Sequence, residues 1–170
     1  FLGASGFSVD DDDEGNSHGD DDGLANPIEI IELTVELTSL GEQSPEGDIE
    51  VQLLPNIPHL TVEEGVVRLE NSPDPGESVD VEFIVEIEGG FPAENNAEFS
   101  LLVTDGEDSW QSAITLLVEG PQIELISLEW LSDALEPGDE ARCYIHIRNI
   151  GERRAGALEA TLISLTPSIS

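Results

Sequence analysis

The chain has no lysine, no methionine, a single cysteine and an aromatic share of only 5%. Each shortage excludes something. Five arginines stand against 38 acidic residues, for a formal net charge of −33. Nucleic acid and anionic membranes are held through cationic contacts, so neither is an expected partner. One cysteine, Cys143, cannot form an internal disulfide. It lies inside an alternating pattern, where a small apolar residue in a core is the plain reading. With aromatics scarce, the core must be built from Leu, Ile and Val. No apolar run is long enough to span a bilayer, which excludes membrane insertion by a helix. The opening Phe1-Leu2-Gly3-Ala4 lacks an initiating Met and a basic segment, so no signal peptide is read. The chain reads as a mature or excised part of something longer.

Helical periodicity is nearly absent, and period-two alternation recurs in its place. Glu32–Leu37 sets Leu33, Val35 and Leu37 on one face. Asp80–Ile87 does the same with Val81, Phe83, Val85 and Ile87, and Arg142–Arg148 with Cys143, Ile145 and Ile147. Shorter strand candidates cover 3–9, 48–53, 66–70, 99–104, 113–118, 122–130 and 157–163. Turn-forming clusters separate these runs, among them Ser44-Pro45-Glu46-Gly47, Ser72-Pro73-Asp74-Pro75-Gly76 and Thr104-Asp105-Gly106-Glu107-Asp108. Strands with one polar and one apolar face predict antiparallel sheets packed face to face. The expected fold is therefore an all-β antiparallel sandwich.

The sequence repeats itself. Residues 25–42 align without gaps on residues 135–152. A proline, an acidic residue, the inward alternation and a closing Gly-Glu coincide. The first copy is read as 1–120, with Gly120-Pro121 as the boundary. The second starts at 121, and its 50 residues to 170 are too few for a sandwich. Its missing strands would come from a longer chain, from a partner by strand addition, or not at all.

The order of these motifs resembles bacterial immunoglobulin-like modules of the cell-adhesion-related and alpha-galactosidase-associated kind. Such modules accompany gingipain-like secreted cysteine peptidases and many cell-surface proteins. Their pattern is a first strand, an Asp/Asn/Gly-rich loop, Asn-Pro-Gly-Glu, an alternating strand and Asn-Thr-Gly. Here the loop is Asp10–Gly23 and the tetrad is Asn26-Pro27-Ile28-Glu29, with Ile28 in place of Gly. In the second copy the tetrad is Glu136-Pro137-Gly138-Asp139, and the closing triplet Asn149-Ile150-Gly151. The resemblance implies one complete immunoglobulin-like module, the first part of a second, and a secreted, extracellular or cell-surface setting. No segment resembles the peptidase domain.

The chemistry-bearing segment is the acidic loop. Hard divalent cations take several oxygen ligands at about 2.3–2.6 Å. Gly15, Gly19 and Gly23 permit tight turns, and a bound cation would relieve repulsion among the carboxylates. Asp10, Asp12, Glu14 and Gly15 fall on EF-hand-like positions one, three, five and six, with Asp21 on twelve, but the flanks read as strands. The expected site is a Ca²⁺ loop on a sandwich, with Asp10, Asp12, Asn16, Asp20 and Asp22 as ligands and Glu29 as a closing ligand. The competing reading is a solvated acidic loop. The equivalent loop of the second copy, Leu131-Ser132-Asp133-Ala134, is too poor in oxygen for a site.

Catalysis finds no support, and the chain is read as non-enzymatic. Cys143 and His146 stand three apart on one strand and so point to opposite faces. His18 is read as a solvated loop residue, and convergent Cys or His for a zinc site are lacking. Trp110, read as part of an acidic turn, and Trp130 are candidate carbohydrate platforms, with partial burial as the simpler account. Three functions follow: a structural spacer, stalk or filament unit stiffened by Ca²⁺; an accessory domain of a large secreted hydrolase; or a carbohydrate-binding or adhesin module. The expected partners are other domains of a longer chain or neighbouring copies.

Overall fold

The computed structural model describes residues 1–131 apart from 46, 93 and 94, then 142–151, and residues 153, 155, 160, 161 and 163. Among these residues every regular element is a strand: β1 (Leu2–Asp10), β2 (Ile30–Ser39), β3 (Ile49–Pro55), β4 (Leu60–Val62), β5 (Val66–Leu69), β6 (Ser78–Ile87), β7 (Asn95–Thr104), β8 (Ser109–Val118), β9 (Ile123–Trp130) and β10 (Cys143–Asn149). Among the described residues no helix is long and apolar enough to cross a membrane.

Two four-stranded sheets, ordered β1-β2-β6-β4 and β5-β3-β7-β8, share one apolar core, and all their strand pairs are antiparallel. This is the sandwich arrangement that the alternation predicts. Leu33, Val35 and Leu37 of β2 are fully buried, as are Phe83, Val85 and Ile87 of β6. Ile49 and Val51 of β3, with Phe99 and Leu101 of β7, meet them from the other sheet. The intervening Thr and Glu residues stay at the surface, which leaves the outer faces acidic.

The structure departs from the sequence pattern at two places. Strand β4 has only three residues, too few to show a period, and was not legible. Trp110 is not in a turn: β8 begins at Ser109, Trp110 pairs with Val103, and its half-buried ring packs against the core. The expected strand at 157–163 falls largely outside the described residues, and Ala160, Thr161 and Ile163 lie in no strand.

Ile28 occupies the turn where the motif carries glycine, and its φ is 71°. A left-handed conformation is costly for a β-branched residue. Its side chain is exposed, so little packing offsets that strain. Ile28→Gly is expected to stabilise the protein by about 1 kcal/mol. A lower or unchanged denaturation midpoint would show that the turn is unstrained.

Strands β9 and β10 form a separate two-stranded sheet. Its register repeats that of β1 and β2. Leu2 faces Ser39 and Ile123 faces Asn149; Ala4 faces Leu37 and Leu125 faces Ile147; Val9 faces Leu33 and Trp130 faces Cys143. Each pair has one bulge, and the extra residue is Ser5 in β1 and Ile126 in β9, at the same point of the ladder. Leu40 N–H donates to Phe1 O at 2.9 Å, and Ile150 N–H donates to Gln122 O at 2.8 Å. A Cβ on Gly41 would lie 3.0 Å from Phe1 N, and one on Gly151 2.9 Å from Gln122 N. The same close approach thus favours glycine in both places.

Candidate metal centre

The acidic loop leaves the sandwich at the end of β1 and returns at β2. Its middle is tied to β2 by a bridge: His18 N–H donates to Ile30 O at 2.7 Å, and Ile30 N–H to His18 O at 3.1 Å. Its first turn is held by its own side chains. Asp12 N–H donates to Asp10 Oδ1 at 3.2 Å, and Glu14 N–H to Asp12 Oδ1 at 2.7 Å. Both bonds are the local side-chain-to-backbone kind that Asp favours in turns. The buried Ser17 hydroxyl lies 3.0 Å from Asp12 Oδ1 and 2.9 Å from Glu14 O.

With Asp10 and Asp12 turned to the backbone, the residue between them points the other way. Asp11 is 2% exposed. Its Oδ1 accepts from Gly23 N–H at 2.8 Å and its Oδ2 from Asp22 N–H at 3.2 Å. One carboxylate oxygen from each of Asp11, Asp20 and Asp22 lies within 4.8 Å of the others. Such a spacing suits three ligands of one ion at Ca²⁺–oxygen distances of about 2.3–2.6 Å. The donors are all carboxylate oxygen, which matches a hard cation rather than a soft one.

The structure therefore brings two of the sequence candidates, Asp20 and Asp22, together with a third residue that the sequence did not single out. Asp10 and Asp12 are not in this group. Asn16 donates its backbone N–H to Glu32 Oε1 at 2.8 Å. Glu29 is buried and faces Asn26. It accepts from Asn26 N–H at 2.8 Å and from the Asn26 amide at 3.2 and 3.3 Å. Burial raises the Glu29 pKa, Asn26's hydrogen bonds oppose the rise, and the nearby Asp20 and Asp11 carboxylates add to it. Among the described residues the buried Asn26 Oδ1 has no hydrogen-bond partner.

A cleft of about 300 Å³ opens beside the cluster, lined by Asp13, His18, Asp20, Asn26, Glu29 and Arg153 among others. Arg153 forms an ion pair with Asp22, and its guanidinium lies 3.8 Å from Asp20 and 3.4 Å from Glu119. A cation from beyond β10 thus already balances part of the loop's charge. No sequence signal pointed to it, because the two partners stand over a hundred residues apart.

Gly19 serves this loop by its size. A Cβ there would overlap the Asp11 carbonyl oxygen and stand 2.9 Å from Asp11 Cβ. Gly19→Ala should therefore push the segment bearing Asp20 and Asp22 off Asp11. Overpacking of this kind costs about 1–3 kcal/mol. Faster amide exchange at Asp22 and Gly23 is the expected readout, and unchanged exchange there would contradict the contact.

No family model matches this chain, and a search of curated proteins finds no match.

Proposed function

We propose that the chain is a non-catalytic structural unit of a secreted or cell-surface protein, built from tandem immunoglobulin-like sandwiches and stiffened by Ca²⁺ at its acidic loop. The observation that carries this reading is the repetition of the β1–β2 register, bulge and closing turn in β9–β10. A repeated unit with an acidic surface suits a spacer, a stalk or an assembly element. The immunoglobulin-like assignment is supported by strand order. In such sandwiches the first, second, fifth and fourth strands make one sheet, and the third, sixth and seventh the other. Here β1, β2, β6 and β4 take the first set of places, and β3, β7 and β8 the second, with β5 as an added edge strand.

The Ca²⁺ reading rests on the convergence of Asp11, Asp20 and Asp22 and on the chemistry of that donor set. Bound there, the ion would join the start of the loop to its return limb. It would compete with Arg153 for Asp20 and Asp22, so metal binding would also be felt beyond the first sandwich. Limited proteolysis tests this: micromolar-to-millimolar Ca²⁺ should protect the bonds between 10 and 23, and chelator should expose them. Equal cleavage in both conditions would leave the acidic loop as a solvated surface only.

A further inference from the structure

The β9–β10 sheet carries an apolar face. Directly opposed residues share a side, so Leu125 lies with Ile147, Leu128 with Ile145, and Trp130 with Cys143. In β1–β2 the corresponding positions of β2, Leu33, Val35 and Leu37, are fully buried. In β10, Ile145 and Ile147 are 41% and 45% exposed. The opposite face is polar, with Glu129, Tyr144, His146 and Arg148. The alternation is that of a half-buried strand, yet its apolar side stands open.

The first sandwich shows what belongs there. The second edge of β2 holds β6, antiparallel over nine residue pairs from Ile30–Glu86 to Thr38–Ser78. Among the described residues β10 pairs only with β9, so the edge equivalent to that of β2 has no strand on it. Because the β1–β2 and β9–β10 registers coincide, the β6 pairing transfers directly. Cys143 would take the place of Leu33 opposite Phe83. Ile145 would face the Val81 position, and Ile147 the Val79 position.

Charge specifies the occupant further. The outward residues of β6 include Asp80, Glu82 and Glu86, while β10 and its approach carry Arg142, His146 and Arg148. Arg142 and Arg148 are two of the chain's five arginines. Across the transferred register, His146 would stand opposite Asp80, and Tyr144 opposite Glu82. A basic edge strand in so acidic a molecule suits an acidic partner strand.

We propose that the open edge and apolar face of β10 are a strand-docking site for an antiparallel, acidic strand with apolar residues at alternate positions, seated as β6 is on β2. This rests on the tandem reading above but not on Ca²⁺. Strand addition of this kind draws affinity from main-chain hydrogen bonds and selectivity from alternate side chains.

Cys143, as the sole cysteine, makes the register testable. The probe is a synthetic peptide of residues 78–87 carrying Phe83→Cys, incubated with the full chain in a buffer of reduced and oxidised glutathione, the oxidised form accepting the two electrons by thiol–disulfide exchange. Directly opposed residues of antiparallel strands have Cα atoms about 4.5–5.5 Å apart, within disulfide range. A mixed disulfide with Cys143 should form at least about ten-fold faster than with a peptide carrying Glu82→Cys, whose thiol would face the other side. A scrambled peptide with one Cys should behave like the latter. Equal rates for all peptides would overturn the proposal. So would a Cys143–Cys143 dimer as the main product, which would assign the face to a second copy. Either outcome leaves the Ca²⁺-dependent proteolysis result unaffected.

Discussion

Phe99→Ala should cost about 3–5 kcal/mol of folding stability, the largest loss expected from any single truncation in the sandwich. Phe99 is fully buried on β7, between Pro55 of β3 and Ile114 of β8. Among the described residues only Phe83 is comparable in size and burial. In a core made mainly of Leu, Ile and Val, no neighbour is large enough to fill the cavity. Domains of this size are stable by roughly 5–15 kcal/mol, so the variant should unfold at a much lower urea midpoint with an unchanged slope. Leu54, on the outward side of β3, is partly exposed, and Leu54→Ala should change stability by less than about 1 kcal/mol. Similar midpoints for the two variants would mean that the two sheets do not enclose Phe99 in a shared core.

The second large effect concerns the acidic loop. Saturating Ca²⁺ should raise the thermal midpoint by several degrees, since an ion present at a hundred times its Kd adds about 2.7 kcal/mol to the folded state. Asp11→Asn should remove most of that shift. The substitution keeps an oxygen for the Gly23 N–H but replaces a charged ligand and sets an amide against the Asp22 N–H. Asp13→Asn is the control, because Asp13 is exposed and outside the converging group. A NaCl series separates specific binding from screening. At ordinary salt the screening length is already about 8–10 Å, so diffuse repulsion responds to monovalent salt while a built site does not. An equal shift with Na⁺ at matched ionic strength, or the same midpoint with chelator, would sink the Ca²⁺ reading.

The strands were legible because a half-buried strand must alternate. β2, β6 and β10 each begin and end within two residues of the alternating stretch that announced them. β4 was not, since three residues carry no period. Trp110 was misplaced because Asp108-Ser109 reads as turn chemistry, while β8 already begins at Ser109 to pair with β7. The acidic loop was legible as a whole, but its inward side was not. Alternate carboxylates along a curled loop can point inward together, and that put Asp10 and Asp12 forward as ligands. In the folded loop both accept backbone N–H groups two residues on, and Asp11 is the residue carried inward.

By itself, the sequence determined an all-β chain, the alternating faces of its strands and the tandem repeat, because each is a local pattern or a comparison of one stretch with another. It also gathered most densely in one loop the carboxylates on which the cation proposal rests. Only tertiary structure decided which carboxylates converge, because that depends on where two limbs of a loop cross and on which oxygens the backbone claims first. Tertiary structure also brought Arg153 to Asp22, and among the described residues it sets no strand on the β10 edge where β2 holds β6. Those are contacts between residues far apart in the chain, and no local pattern records them.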